Sequence, residues 1–120
     1  MILLVEFESD TLHGAATAAA GLAERLTSDR HALHAVTATE PEAIERLWGL
    51  RETVLPSLYG LRGKAHPIPS VEDVGVPVEE LPRYLRRVQE VLQKYEVTAS
   101  YFVHAGTGQV HTRPFLDLQR

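Results

Sequence analysis

The chain has 120 residues, 44% of them hydrophobic and 7% aromatic, which accommodates one domain around a modest core and excludes two independent ones. Twelve Lys and Arg against sixteen Asp and Glu give a net charge of -4, and this argues against nucleic acid as a partner because no basic excess exists to neutralise a phosphate backbone. Cysteine is absent, so this segment holds no disulfide, no thiolate nucleophile and no Cys-ligated zinc or cluster, in keeping with a reducing, cytoplasmic compartment.

Residues 2–8 (ILLVEFE) are rich in β-formers and end in alternation, with Leu3, Val5 and Phe7 on one side and Glu6 and Glu8 on the other, which predicts a strand. The same run is too short and too acidic for a signal peptide or membrane span, so no targeting or transmembrane segment is expected. Ser9 or Asp10 is suited to cap a helix whose apolar stripe is Leu12, Ala15, Ala19, Leu22 and Leu26. Residues 33–37 read as a short second strand. Thr39, Pro41 and Glu42 fit a capping box with proline in the first turn, which predicts a helix from Glu40 toward Leu55. Residues 60–70, with two glycines and two prolines, read as an extended loop into a strand at residues 71–76 that Pro77 closes. Leu81, Tyr84, Val88, Val91 and Tyr95 step as a third helix that tolerates Pro82 in its first turn. Residues 97–104 and 109–113 then flank a glycine turn as a hairpin. The order is strand, helix, strand, helix, strand, helix, strand, strand. It predicts an α+β sandwich of the ferredoxin-like kind, a mainly antiparallel sheet with helices on one face, with parallel α/β as the alternative.

Three features break the local pattern. Arg51 interrupts the apolar stripe Ile44, Leu47, Val54 and Leu58, so its guanidinium either snorkels to the edge, pairs with Glu72 or Asp73, or meets another anion. His104 and His111 flank the turn. If Thr107 and Gly108 are its central pair, the two imidazoles stand directly opposite on one face, close enough to share a divalent ion once a third ligand, a carboxylate, joins them. Two surface histidines are the plainer reading of the same spacing. Glu72 and Asp73 enter a valine strand, where alternation puts them on opposite faces and Arg51 or Lys64 is the expected partner. His13, His31, His34 and His66 read as solvent-facing, and Arg83, Arg86 and Arg87 as the wet face of a helix. No G-x-G-x-x-G, P-loop, G-x-S-x-G or H-E-x-x-H motif is present.

Leu47-Trp48-Gly49-Leu50-Arg51-Glu52, then Val71-Glu72-Asp73-Val74-Gly75-Val76-Pro77, then His104-Ala105-Gly106-Thr107-Gly108-Gln109-Val110-His111 resemble, in order, the C-terminal substrate domain of FAD-linked oxidases such as glycolate oxidase and D-2-hydroxy-acid dehydrogenases. Pro67-Ile68-Pro69 and Arg113-Pro114-Phe115-Leu116-Asp117 look most like bacterial versions fused to an iron-sulfur module. The resemblance implies a fragment of a flavoenzyme whose FAD-binding domain lies upstream in the same polypeptide and whose iron-sulfur cluster sits in a separate module. It implies Arg51 as the group that binds a small-molecule carboxylate substrate, and His104 and His111 as ligands of a divalent metal such as zinc or manganese. Gln109 matches a position near the flavin where the family has Asn, and Thr107 replaces its Asp, so contacts there differ. The family's third metal ligand and catalytic histidine belong to a downstream G-E-H-G segment that this chain lacks, so no catalytic residue is assigned here. A homo-oligomer of the fragment is compatible with this reading. The competing reading is a free-standing ferredoxin-like ligand-binding or regulatory module.

Overall fold

Thr11 opens the first helix, its Oγ1 accepting from the Gly14 N–H at 3.1 Å, and α1 (Leu12–Ser28) follows. The computed structural model describes residues 1–60 and 64–118, and of Leu55 the backbone only; residues 61–63 of the expected loop lie outside the described residues. Neither Ser9 nor Asp10 caps α1, because the cap must stand one residue before the first helical turn, and Ser9 Oγ instead lies 3.5 Å from the Thr11 N–H. In α2 (Pro41–Tyr59) the Glu40 carbonyl accepts from the Ala43 and Ile44 N–H groups at 3.0 Å, so Glu40 and not Thr39 holds the capping position. The helix runs past Leu55 and through Pro56, which has no N–H to return to the Glu52 carbonyl. At that proline the chain divides into two compact units, Met1–Leu55 and Pro56–Arg120.

Residues 2–8 and 33–37 form no strand. Their β-forming composition suits a pleated, half-buried surface, but a strand exists only through its ladder, and neither segment makes one among the described residues.

The second unit is built on β4 (Gln109–Leu116). β3 (Ala99–His104) pairs with it antiparallel from Ala99 opposite Pro114 to His104 opposite Gln109. β2 (Val71–Gly75) takes the other edge, with Val74 opposite Val110 and Gly75 opposite Gln109. The two-residue β1 (His66–Pro67), within the expected loop, pairs with the far end of β4 at Leu116 and Phe115. Every pairing is antiparallel, which gives the α+β class and excludes the parallel alternative.

Pro77 ends the sheet excursion, and a short 3-10 turn (Val78–Glu80) leads into α3 (Leu81–Lys94). Leu81 is buried and Tyr84, Leu85, Val88 and Leu92 are half-buried, whereas Val91 and Tyr95 are exposed, so the inward stripe turns away from the expected one near the C-terminus. The helix closes in a Schellman turn, Val97 N–H to the Leu92 carbonyl and Glu96 N–H to that of Gln93, with Glu96 at φ 56° where glycine is usual. That turn aims the chain directly into β3. Burial raises the pKa of the Tyr101 hydroxyl, and neighbouring Tyr84 of α3 adds to it; Tyr101, Thr112 and Val110 share one side of the sheet. Val110 and Thr112 are the most deeply buried of these, at 0% and 2% exposure. Alternation then turns Gln109, His111 and Arg113 to the opposite face.

Gly108 closes the hairpin at φ +74°, its N–H donating to the His104 carbonyl and its own carbonyl accepting from Val76. A Cβ there would run into the Val76 carbonyl oxygen. Gly108→Ala should therefore destabilise the chain by roughly 2 kcal/mol or more, from the left-handed backbone and the clash together. Gly106→Ala, whose Cβ meets nothing within 4 Å, should change it by less than about 0.5 kcal/mol in the same urea titration.

Candidate functional site

Between Val71, opposite Thr112, and Val74, opposite Val110, two residues of β2 face the single His111 of β4. This is a β-bulge, and Asp73 carries it at φ +56°, a left-handed conformation that Asp tolerates better than most residues. The bulge cancels the alternation that would separate Glu72 from Asp73. Both carboxylates reach His111, which corrects the expectation of opposite faces.

Glu72 Oε2 lies 2.7 Å from His111 Nδ1, and Arg113 Nε donates to Glu72 Oε1 at 2.8 Å. Asp73 Oδ1 accepts from Gln109 Nε2 at 3.1 Å and lies 3.5 Å from His111 Nδ1. Arg113 Nη1 reaches the Tyr59 hydroxyl at 3.3 Å. Glu72, His111 and Arg113 are at most 25% exposed, so their attraction is less screened than that of the exposed pairs Arg83–Glu80 and Arg87–Glu90 on α3. Burial works to raise the Glu72 pKa, but hydrogen bonds from His111 and Arg113, together with their charges, outweigh it and hold the carboxyl below its ordinary value.

The two histidines share the face, in a different register from the one expected. The loop between the strands spans four residues, so His104 stands opposite Gln109, and His111 opposite Phe102. A slip of two residues preserves the side of the sheet, and the rings meet diagonally, 5.5 Å between centroids and 77° between planes. Arg51 is exposed on α2, and Glu72 takes Arg113 as its cation in place of the expected Arg51 or Lys64. His13, His31, His34 and His66 are exposed as expected. Among the described residues no three His, Asp or Glu side chains form a metal-binding group. The residue that sequence reasoning missed as a site member is Arg113. Its signal was its spacing of two from His111 on one strand, which puts both side chains beside whatever acid the neighbouring strand supplies.

A family model described as "FAD linked oxidases, C-terminal domain" matches residues 1–120, and the chain belongs to that family. It is 35% identical over 77 residues to a D-2-hydroxyglutarate dehydrogenase of Pantoea ananatis, a match covering 64% of this chain and 8% of that protein. The corresponding enzyme of Haemophilus influenzae is 37% identical over 76 residues, covering 63% of this chain and 7% of the relative. A mitochondrial D-lactate dehydrogenase [cytochrome] of Arabidopsis thaliana is 26% identical over 96 residues, 80% of this chain and 17% of its own length. The chain thus spans a small part of the curated relatives it matches. No solved structure matches it. The family implies FAD as cofactor, and among the described residues no helix is long and apolar enough to cross a membrane.

Because Glu72 is more acidic in the folded chain than in the unfolded one, its contribution to stability is complete above the ordinary glutamate pKa of 4.5. That contribution is lost as pH falls through the lowered folded value. Urea unfolding followed from pH 7 to pH 3 should show this loss, and Glu72→Gln should flatten it while lowering stability at neutral pH by about 1 to 3 kcal/mol.

Proposed function

We propose that this chain forms part of the substrate-binding wall of a flavin-dependent oxidoreductase that oxidises a 2-hydroxy acid to the 2-oxo acid. The observation that carries the reading is the pair His104 and His111 on one face of the sheet, 5.5 Å between ring centroids, in a chain whose relatives are named as dehydrogenases of 2-hydroxyglutarate and lactate.

Two imidazoles at that spacing suit donation to one divalent ion such as zinc or manganese, and a third ligand must come from another part of the longer polypeptide. When bound, such an ion would polarise the substrate hydroxyl, and FAD would supply the hydride acceptor. The chain's own contribution is binding and orientation. Arg51, exposed and permanently charged, offers a planar fork to the substrate carboxylate. Gln109 commits its amide N–H to Asp73 and keeps its carbonyl oxygen for a flavin-side contact. Glu72 and Arg113 neutralise each other beside His111, so the acid nearest the imidazole adds no net negative charge toward an anionic substrate. The FAD-binding half and the iron-sulfur electron acceptor belong to other parts of the parent polypeptide, and the chain alone lacks turnover.

Purified by itself, the 120-residue protein should carry no stoichiometric flavin by absorbance at visible wavelengths and should not oxidise D-2-hydroxyglutarate or D-lactate with a dye acceptor; flavin bound at one equivalent would contradict the division of labour. In the longer enzyme, Arg51→Met should lower kcat/KM for the hydroxy acid by about 10- to 100-fold, mostly through KM, as expected for loss of a charge-assisted pair. His104→Ala should lower metal content together with kcat, and retention of both after that substitution would sink the ligand assignment.

A further inference from the structure

We infer that Glu72, clamped by Arg113, is a positioning residue that holds His111 as the Nδ1–H tautomer, so that Nε2 is the nitrogen His111 offers to an incoming group. Glu72 Oε2 lies 2.7 Å from His111 Nδ1, and its other oxygen accepts from Arg113 Nε at 2.8 Å. A carboxylate in an ion pair with a guanidinium is an acceptor only. The 2.7 Å contact therefore requires the proton on Nδ1, and in the neutral ring the lone pair is then on Nε2. Asp73 Oδ1, 3.5 Å from the same nitrogen and accepting from Gln109, is a second acceptor on that side and adds to the bias.

Arg113 has two roles. Its Nε holds Glu72 and its Nη1 reaches Tyr59, so the guanidinium that fastens the carboxylate is itself fastened. The bulge at Asp73 is what brings both Glu72 and Asp73 onto this face. The inference rests on the proposed function only for the identity of the incoming group, a divalent cation; the tautomer follows from the contacts alone.

The test is long-range proton–nitrogen correlation NMR on the 120-residue chain with 15N-labelled histidine, metal-free and near pH 7.5. His111 should give the pattern of a protonated Nδ1 and an unprotonated Nε2. In Glu72→Ala it should relax toward the Nε2–H form usual for an unconstrained imidazole, and Glu72→Asp, which keeps the charge, should retain more of the bias than Glu72→Ala. Backbone amide dispersion reports whether each variant folds, and Arg113→Lys, which keeps the charge but loses the fork, supplies a second variant with an intermediate shift expected. An Nε2–H His111 in the unmodified chain, or an unchanged tautomer in a folded Glu72→Ala, overturns the inference. Zinc chloride added to the same sample should move the Nε2 resonance of His111 and not Nδ1, with apparent affinity 10- to 100-fold weaker in Glu72→Ala. Zinc that moves neither His104 nor His111 would count against the metal reading under the proposed function and leave the tautomer assignment standing.

Discussion

Glu72 accepts from two side chains of one strand, His111 at 2.7 Å and Arg113 at 2.8 Å, and this shared carboxylate organises one face of the sheet. Residues two apart on β4 point the same way, so a single acid between them fastens both. Such an acid has to come from the neighbouring strand at the right height and on the right side. The β2 bulge meets both requirements by placing two residues opposite one, with Asp73 in the left-handed region as the local strain. Without the bulge, strict alternation would leave either Glu72 or Asp73 on the side of the buried Val110 and Thr112.

The two faces of β4 accordingly do different work. Val110 and Thr112 are buried on one face, where they anchor the strand in the unit's small core. Gln109, His111 and Arg113 alternate with them on the other face, each with an acidic partner from β2. Gly108 sets where this alternation starts. Its left-handed turn, pressed against the Val76 carbonyl, fixes the four-residue loop and hence the register of β4 against both neighbours. The side chains of the other face are thus positioned by an ordinary packed core behind them.

How far the site was legible in the sequence differs from residue to residue. That His104 and His111 share a face followed from the hairpin, and it survived an error of two in the register because side-chain direction repeats every two residues. Their direct opposition did not survive, since loop length and not the Thr-Gly pair set the pairing. Glu72 and Asp73 stood out as acids in a valine strand, but their partners could not be read: Arg51 and Lys64 are nearer in sequence, whereas the contacts formed span 36 to 41 residues. Arg113 carried no local anomaly, because an arginine alternating with buried residues is what a half-exposed strand ordinarily shows.

The sequence by itself determined what depends on neighbours along the chain: three helices from stripes at steps of three and four, the proline start of α2, the hairpin, and, through motifs in a fixed order, membership of the FAD-linked oxidase C-terminal family. Residues 2–8 and 33–37 mark the limit of that reading, for β-forming composition states only that a segment would suit a sheet. Whether a strand forms, which cation meets Glu72 and which nitrogen His111 presents depend on hydrogen bonds between residues far apart in the chain. Only the tertiary structure decides those, because a ladder or a shared carboxylate exists once both partners are held in place and has no counterpart in either segment alone.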